Sequence, residues 1–308
     1  MFQRRNVCPA CKSELHNEIY SCAFNEKPIL DFLLRRFRDV YTIQEFSGEK
    51  YVLNLCKTCG LIFQRDILKH EFLEKLYGQW LIKSDSEMDE EILSMSTLRG
   101  FFYYQGEMLK IIKYLKKDIP SLDILDYGMG RGMWCKVVQA MGINVHGTDL
   151  SENSMADARQ ISITTVDVNN IEMNKYDFIN TEQVFEHLAE PLEVLKKLRR
   201  SLKDSGIIRI SVPNGRGIER RLDSMDWNAP RSSKYFLIPV APLFHINTFK
   251  HETICQMGKI AGFQPINLPL RFDYLIINCF SLKDLLKSLI RPIYRRINKS
   301  TCVYLMKV

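Results

Sequence analysis

Between residues 122 and 134 the chain reads LDILDYGMGRGMW, an apolar run that breaks into three glycines, Gly128, Gly130 and Gly132, and resumes as the helix-patterned MWCKVVQAM. Alternating apolar residues, then bare backbone, then apolar residues at helical spacing predict a strand, a tight turn and a helix. The alternation continues through the strand INVHGTD, a helix from SENSMADAR, the strands SITTVD and YDFINTEQ, the helix PLEVLKKLRRSL and the strand GIIRISV. Strands that alternate with helices predict an α/β fold, a parallel sheet covered on both faces. A glycine turn after the first strand then brings open backbone against a ligand at the carboxyl edge of that sheet.

The spacing of the glycines limits which ligand. A dinucleotide fingerprint, GxGxxG, needs its third glycine at position 133, where the chain has Met133, so a dehydrogenase or epimerase loses ground. A phosphate-cradling GxxxxGK loop is also missing. The pattern left is DxGxGxG, and LDYGMGRG resembles the first motif of class I S-adenosylmethionine-dependent methyltransferases. Further on, TEQVFEHLAEP is similar to the EVLEHLxDP stretch of small-molecule members of that family. The resemblance implies a Rossmann-like domain with S-adenosylmethionine as cofactor. It implies a cofactor site of Asp126, Gly128, Gly130 and Gly132 at the turn, Asp149 on the ribose hydroxyls with Leu150 beside it, Asp167 at the adenine, and Gln183.

Methyl transfer from a sulfonium is an in-line displacement, so alignment of nucleophile and methyl carbon matters most, and a hydroxyl or carbon acid must also lose a proton. Of the six histidines, His187 in FEHL and His245 in PLFHINTF are the candidate catalytic residues. The second stretch is similar to an EHxxxFT segment of the same family. Sugar C-methyltransferases with an N-terminal zinc module often carry Tyr and Glu just ahead of that histidine, and this chain has Pro242 and Phe244. The difference favours O-methylation of a hydroxyl, on a sugar or glycan intermediate, over carbon alkylation. An RNA base methyltransferase, a sugar C-methyltransferase and a non-catalytic binding protein of the same fold stay open as alternatives.

Nine cysteines, an odd number, with no apolar signal segment at the N-terminus, argue for a reduced, cytoplasmic chain. Cys8-Pro-Ala-Cys11 and Cys56-Lys-Thr-Cys59-Gly60 are two knuckles, each aiming two thiolates at one centre, and together they complete the ligand set of a structural Zn2+ site. The expected organisation is a zinc-ribbon-like module over 1–80, an acidic serine-rich linker and a cap helix over 81–120, and the methyltransferase domain over 121–308.

A net charge of +7 suits an anionic partner. Arginines in RGIERRLDSMDWNAPRSSKYF, residues 216–236, match a substrate diphosphate or else belong to a solvated loop. The stretch 282–299 patterns as a basic amphipathic helix suited to the surface of an anionic membrane, broken or kinked at Pro292.

Overall fold

A computed structural model describes residues 1–36, 46, 48–76, 95–230, 233–277, 279 and 281–308. The linker expected from 81, the end of LEKLYGQW, Arg38 and Arg231 lie outside the described residues. In chain order, β1 (Phe2–Arg4) and β2 (His16–Ala23) precede α1 (Ile29–Arg36), and β3 (Lys50–Cys56), β4 (Ile62–Gln64) and β5 (Asp66–Leu68) precede α2 (His70–Lys75). Next come α3 (Met95–Leu115), β6 (Asp123–Tyr127), α4 (Met133–Ala140), β7 (Asn144–Thr148), α5 (Glu152–Gln160), β8 (Thr164–Thr165) and β9 (Tyr176–Glu182). After α6 (Pro191–Ser201) and β10 (Leu202–Ser211) follow α7 (Ile218–Leu222), β11 (Asn247–Thr248), α8 (His251–Ile260), β12 (Phe263–Ile266), α9 (Leu282–Ile297) and β13 (Cys302–Lys307).

These elements pack into two compact units interleaved along the chain. The first holds Met1–Asp89, Gln183–Leu195 and Val212–Ile260; the second holds Glu90–Glu182, Lys196–Ser211 and Ala261–Val308. The expected boundaries near 80 and 121 follow chain order, whereas the cysteine-bearing unit also takes in two later stretches. The reason is visible in the backbone: β11 pairs antiparallel with β4, so a strand from residue 247 completes a sheet begun at residue 16.

The second unit is built on a seven-stranded sheet in the order β12-β13-β10-β9-β6-β7-β8. β6 pairs parallel with β7 and β9, β7 with β8 and β9 with β10, while β13 runs antiparallel to both its neighbours. Strand order reverses between β6 and β9, which opens a crevice at their carboxyl ends. The core places Ile124, Phe178 and Ile207 of the strands against Met108 and Ile111 of α3 and Trp134 and Val138 of α4. Successive strand residues face opposite ways, so a sheet covered on both sides needs the near-continuous apolar runs seen in the sequence.

The first unit carries the four-stranded sheet β11-β4-β3-β2, with β1 and β5 paired separately. Its core gathers Tyr20, Phe24 and Tyr51 from the N-terminal strands with Ile218, Leu222, Trp227 and Phe244 from the later stretch. The Trp227 ring lies 5.7 Å from Tyr20 and 5.6 Å from Tyr51. The segment 216–236, read as a diphosphate site or a solvated loop, therefore supplies core residues, and its Arg221 donates to the carbonyls of Phe236 and Arg216. Pro292 does not break the last helix, which continues through it to Ile297.

Candidate active site

The glycine turn is held open by its neighbours. Gly128, Gly130 and Gly132 have φ of 80°, 53° and 78°, the left-handed region that residues with a Cβ avoid. The Gly128 and Met129 amides both donate to the Thr148 carbonyl, at 2.8 and 3.0 Å, tying the turn to the end of β7. Asp149 completes the tie: one carboxylate oxygen accepts from the Gly130 amide and the other from the Ser151 amide, both at 2.9 Å. Each oxygen keeps a further lone pair for a ligand hydroxyl. A Cβ at Gly130 would point into open space, as a cradle for a ligand requires. At Gly147 on β7, by contrast, an added Cβ would collide with Met129 Sδ, so this glycine, which sequence reasoning passed over, lets the turn settle on the strand.

The other expected donor contacts differ in kind. Leu150 is exposed beside Asp149. Asp167 is exposed and accepts from the Asn169 amide at 2.6 Å, closing its own turn. Gln183, the first residue after β9, is exposed with φ of 56°, a conformation uncommon for a side chain of its size. Asp126 is turned inward and buried, accepting from Asn180 Nδ2 at 2.8 Å. Burial pushes its carboxyl up to about 7, against the Asn180 hydrogen bond.

Asn180 passes the network on, its side-chain oxygen accepting from Arg209 Nη1 at 2.7 Å. Arg209, fully buried on β10, also meets Glu182 at 3.4 Å, Glu107 of α3 at 3.7 Å and the Tyr103 hydroxyl at 3.2 Å. Burial alone would raise Glu107, but Arg209 and Lys110 outweigh it and hold the carboxyl at about 2. A continuous polar chain thus spans β10, β9 and β6 beneath the point where strand order reverses.

In the first unit, His187 and His245 come together with ring centroids 5.0 Å apart. His187 sits on a short 3-10 turn, Phe185–His187, just after β9 in sequence. Its Nδ1 bonds the Phe244 carbonyl at 2.7 Å, and His245 Nδ1 bonds the Ile238 carbonyl at 2.5 Å. A carbonyl only accepts, so each ring donates from Nδ1–H, and in the neutral form Nε2 is its basic nitrogen. Burial depresses them to about 4 for His187 and about 3 for His245, the latter also opposed by His187. Both are therefore uncharged at neutral pH. Glu186, buried, brings a carboxylate oxygen to 4.0 Å of His187 Nε2. The ligand atoms of these three residues fall within 4.8 Å of one another.

Residues far away in sequence fix this pair, and sequence reasoning missed them. Asn247 donates to the Phe185 and Leu188 carbonyls at 3.1 and 2.6 Å, holding the His187 turn. Arg5 is buried and donates to Asn247 Oδ1 at 2.8 Å and to the carbonyls of Ile246 at 2.7 Å and Gln64 at 2.6 Å. Gln64 Nε2 donates to the Ala241 and His245 carbonyls, both at 3.0 Å. The N-terminal strands thus act as the frame of the histidine loop.

The four cysteines meet as expected. Cys8 and Cys59 Sγ lie 3.5 Å apart and Cys11 and Cys56 Sγ 3.6 Å, far beyond a disulfide and suited to four ligands of one tetrahedral ion. The knuckles share one geometry: the Lys12 amide bonds the Cys8 carbonyl as the Gly60 amide bonds that of Cys56, with φ of 60° and 74° at the two donors. A hydrogen bond from Cys59 lowers the Cys8 thiol to about 6, while burial pushes Cys11 up to about 12. Ser13 Oγ and Thr58 Oγ1 join the knuckles at 2.7 Å, and Thr253 of α8 donates to the Cys59 carbonyl at 2.7 Å.

A seven-stranded sheet with one antiparallel strand, entered by a glycine turn locked to the acid after β7, defines the second unit as a Rossmann-like, class I methyltransferase domain. The chain belongs to the methyltransferase-domain family, which matches residues 102–268, just over half its length. It is 30% identical over 129 residues to phosphoethanolamine N-methyltransferase 2 of Caenorhabditis elegans, covering 38% of this chain and 29% of that protein. It is 26% identical over 116 residues to a ubiquinone biosynthesis O-methyltransferase of Hydrogenovibrio crunogenus, covering 33% and 48%. The chain thus spans less than half the length of the curated relatives it matches. In fold it is similar to the plantazolicin methyltransferase BpumL in complex with a pentazolic desmethylPZN analog and SAH, with a TM-score of 0.50, 18% identity, and coverage of 77% of this chain and 94% of that one.

Proposed function

We propose that this protein transfers the methyl group of S-adenosylmethionine to a hydroxyl of a small molecule, a sugar or glycan intermediate that is nucleotide- or lipid-linked. The observation that carries the donor half is the Gly130–Asp149 lock at the strand-order reversal, with open space above the turn. Bound there, S-adenosylmethionine supplies an electrophilic methyl on a sulfonium. Asp149 accepts the ribose hydroxyls, Leu150 covers the adenine, and Asp167 reaches its amino edge. The four-cysteine cluster holds Zn2+ as a structural ion that fixes the frame of Arg5 and Gln64.

His187 and His245 serve the acceptor. Neutral imidazoles depressed to about 4 and 3 are weak bases, poorly matched to a carbon acid but adequate to orient a hydroxyl and take its proton as the oxygen loses charge to the new bond. Phe244, where sugar C-methyltransferases often carry Glu, is a buried core residue, which also favours oxygen over carbon. The curated relatives are named for N- and O-methylation, in keeping with a heteroatom acceptor.

The test is calorimetric titration of the zinc-loaded protein with S-adenosylmethionine and with NAD, followed by acceptor screening. Micromolar binding of S-adenosylmethionine alone is expected, together with a roughly 10- to 150-fold loss in Asp149→Ala, equivalent to about 1.5 to 3 kcal/mol. Binding of neither ligand refutes the donor assignment. Full activity in a His187→Gln/His245→Gln double variant removes the acceptor roles.

A further inference from the structure

The outer face of α9 is apolar where the rest of a surface helix would be polar. Leu282, Leu286, Leu289, Ile290, Ile293 and Ile297 each have another of the set three or four residues away, so they form one stripe. All six are exposed, Leu282 at 81%, Ile290 at 61% and Ile297 at 74%, and no residue of the helix is buried. The helix is anchored along one flank: Arg296 donates to the Leu268 carbonyl at 2.5 Å and meets Asp273 at 3.3 Å, and the Tyr274 hydroxyl donates to the Leu289 carbonyl at 3.1 Å. Just before the helix, Leu275 and Ile277 add further exposed apolar surface. A stripe of this length exceeds the isolated apolar side chains that any soluble surface carries.

Charge says what covers it. Exposed Lys283 and Lys287, four residues apart, flank the stripe on one side. The single acid of the helix, Asp284, sits in the first turn, where its amide caps onto Ser281 Oγ at 3.1 Å. Antiparallel pairing of two copies through the stripe would bring these cations towards one another, whereas an anionic surface meets apolar stripe and basic edge together. Among the described residues no helix is long and apolar enough to cross a membrane. At 16 residues, α9 is about 24 Å long and suited to lie in an interface plane.

We propose that α9 docks on an anionic lipid bilayer, its stripe seated at the boundary of headgroups and acyl chains and its basic edge against the headgroups. The inference is independent of the methyl acceptor. It places the enzyme at a membrane surface through a helix that lies in the interface plane.

Cosedimentation of the full chain with phosphatidylcholine vesicles, with and without about one third phosphatidylglycerol, tests it. Binding to the anionic vesicles at least about tenfold tighter than to the neutral ones, and weakened by salt, is expected. Ile290→Asp with Ile293→Asp should reduce that binding at least about tenfold, and Lys283→Gln with Lys287→Gln should reduce it on the anionic vesicles alone. Both pairs are exposed, so unchanged circular dichroism and thermal melting should accompany the loss. Absence of binding to the anionic vesicles overturns the proposal, as does binding that the apolar pair leaves intact. Sedimentation equilibrium runs alongside: a dimer abolished by the apolar pair would assign the stripe to a second copy and overturn it too.

Discussion

Replacing Arg209 with Met should expose how the methyltransferase sheet is held together at its switch point. The side chain is fully buried and serves Asn180, Glu182, Glu107 and Tyr103 at once. The drop of Glu107 from 4.5 to about 2, at about 1.4 kcal/mol per pKa unit, leaves its ionised form favoured by about 3 kcal/mol after Arg209, Lys110 and Tyr304 have offset the cost of burial. Removing the arginine leaves that carboxylate buried with part of its compensation gone, and strands the Asn180 oxygen. A loss of about 3 to 5 kcal/mol at pH 7 follows. The loss must depend on pH in a definite direction. In the native protein Glu107 contributes stability that is present above 4.5 and lost as pH falls towards about 2; in the variant burial raises the carboxyl, so acid restores what ionisation costs. Urea denaturation should show the gap between the two proteins narrowing by about 2 kcal/mol from pH 7 to pH 4. Adding Glu107→Gln to the variant should cost less than it does in the native background. A gap under about 1 kcal/mol, or one that is flat with pH, would refute the reasoning.

Three shorter predictions follow. Gly147→Ala, which drives a methyl into Met129, should destabilise by about 1 to 3 kcal/mol and weaken S-adenosylmethionine binding by displacing the turn; calorimetry that finds native affinity would sink the close-packing argument. Cys56→Ser should abolish stoichiometric zinc in elemental analysis and lower the melting temperature, and a chelator should mimic it on the native protein; equal zinc content in the two proteins would count against the site. Because His187 and His245 titrate below their ordinary 6.5, the unfolded chain takes up protons first, so their stability contribution is present above about 6.5 and is lost as pH falls towards about 3 to 4. Denaturation midpoints between pH 7.5 and 5 should fall more steeply in the native protein than in His187→Gln/His245→Gln.

The order of strands and helices in the second unit was legible because its signals are local. A glycine turn needs glycine where φ is positive, and the strand-helix alternation is written in apolar periodicity, so β6, α4, β7, α5 and β9 fall where the pattern puts them. The pairing of cysteines was legible for the same reason, and Gly60 marked its knuckle, although Lys12 adopts the matching conformation with no glycine to announce it. The support of the histidines was not legible. Arg5 and Asn247 stand 242 residues apart, and nothing near either one indicates the other. Asp126 shows a further limit: the motif marks it as a ligand contact, but its side chain turns inward to Asn180, a choice made by β6–β9 register rather than by composition.

The interleaving of the two units has a consequence for how the protein emerges from the ribosome. Both cysteine knuckles are synthesised well before Asn247–Thr248 and can take up an ion early. The sheet beside them gains its edge strand only at Asn247–Thr248, and the buried guanidinium of Arg5 has no Asn247 to receive it until then. The other unit opens before that and closes later, since β13 at Cys302–Lys307 inserts between β10 and β12 only after Asn247–Thr248 has been made. Neither half can therefore finish as a vectorial, one-after-the-other domain, and the nascent chain must carry two incomplete cores at the same time. A metal ion acquired early would steady the first of them through that wait.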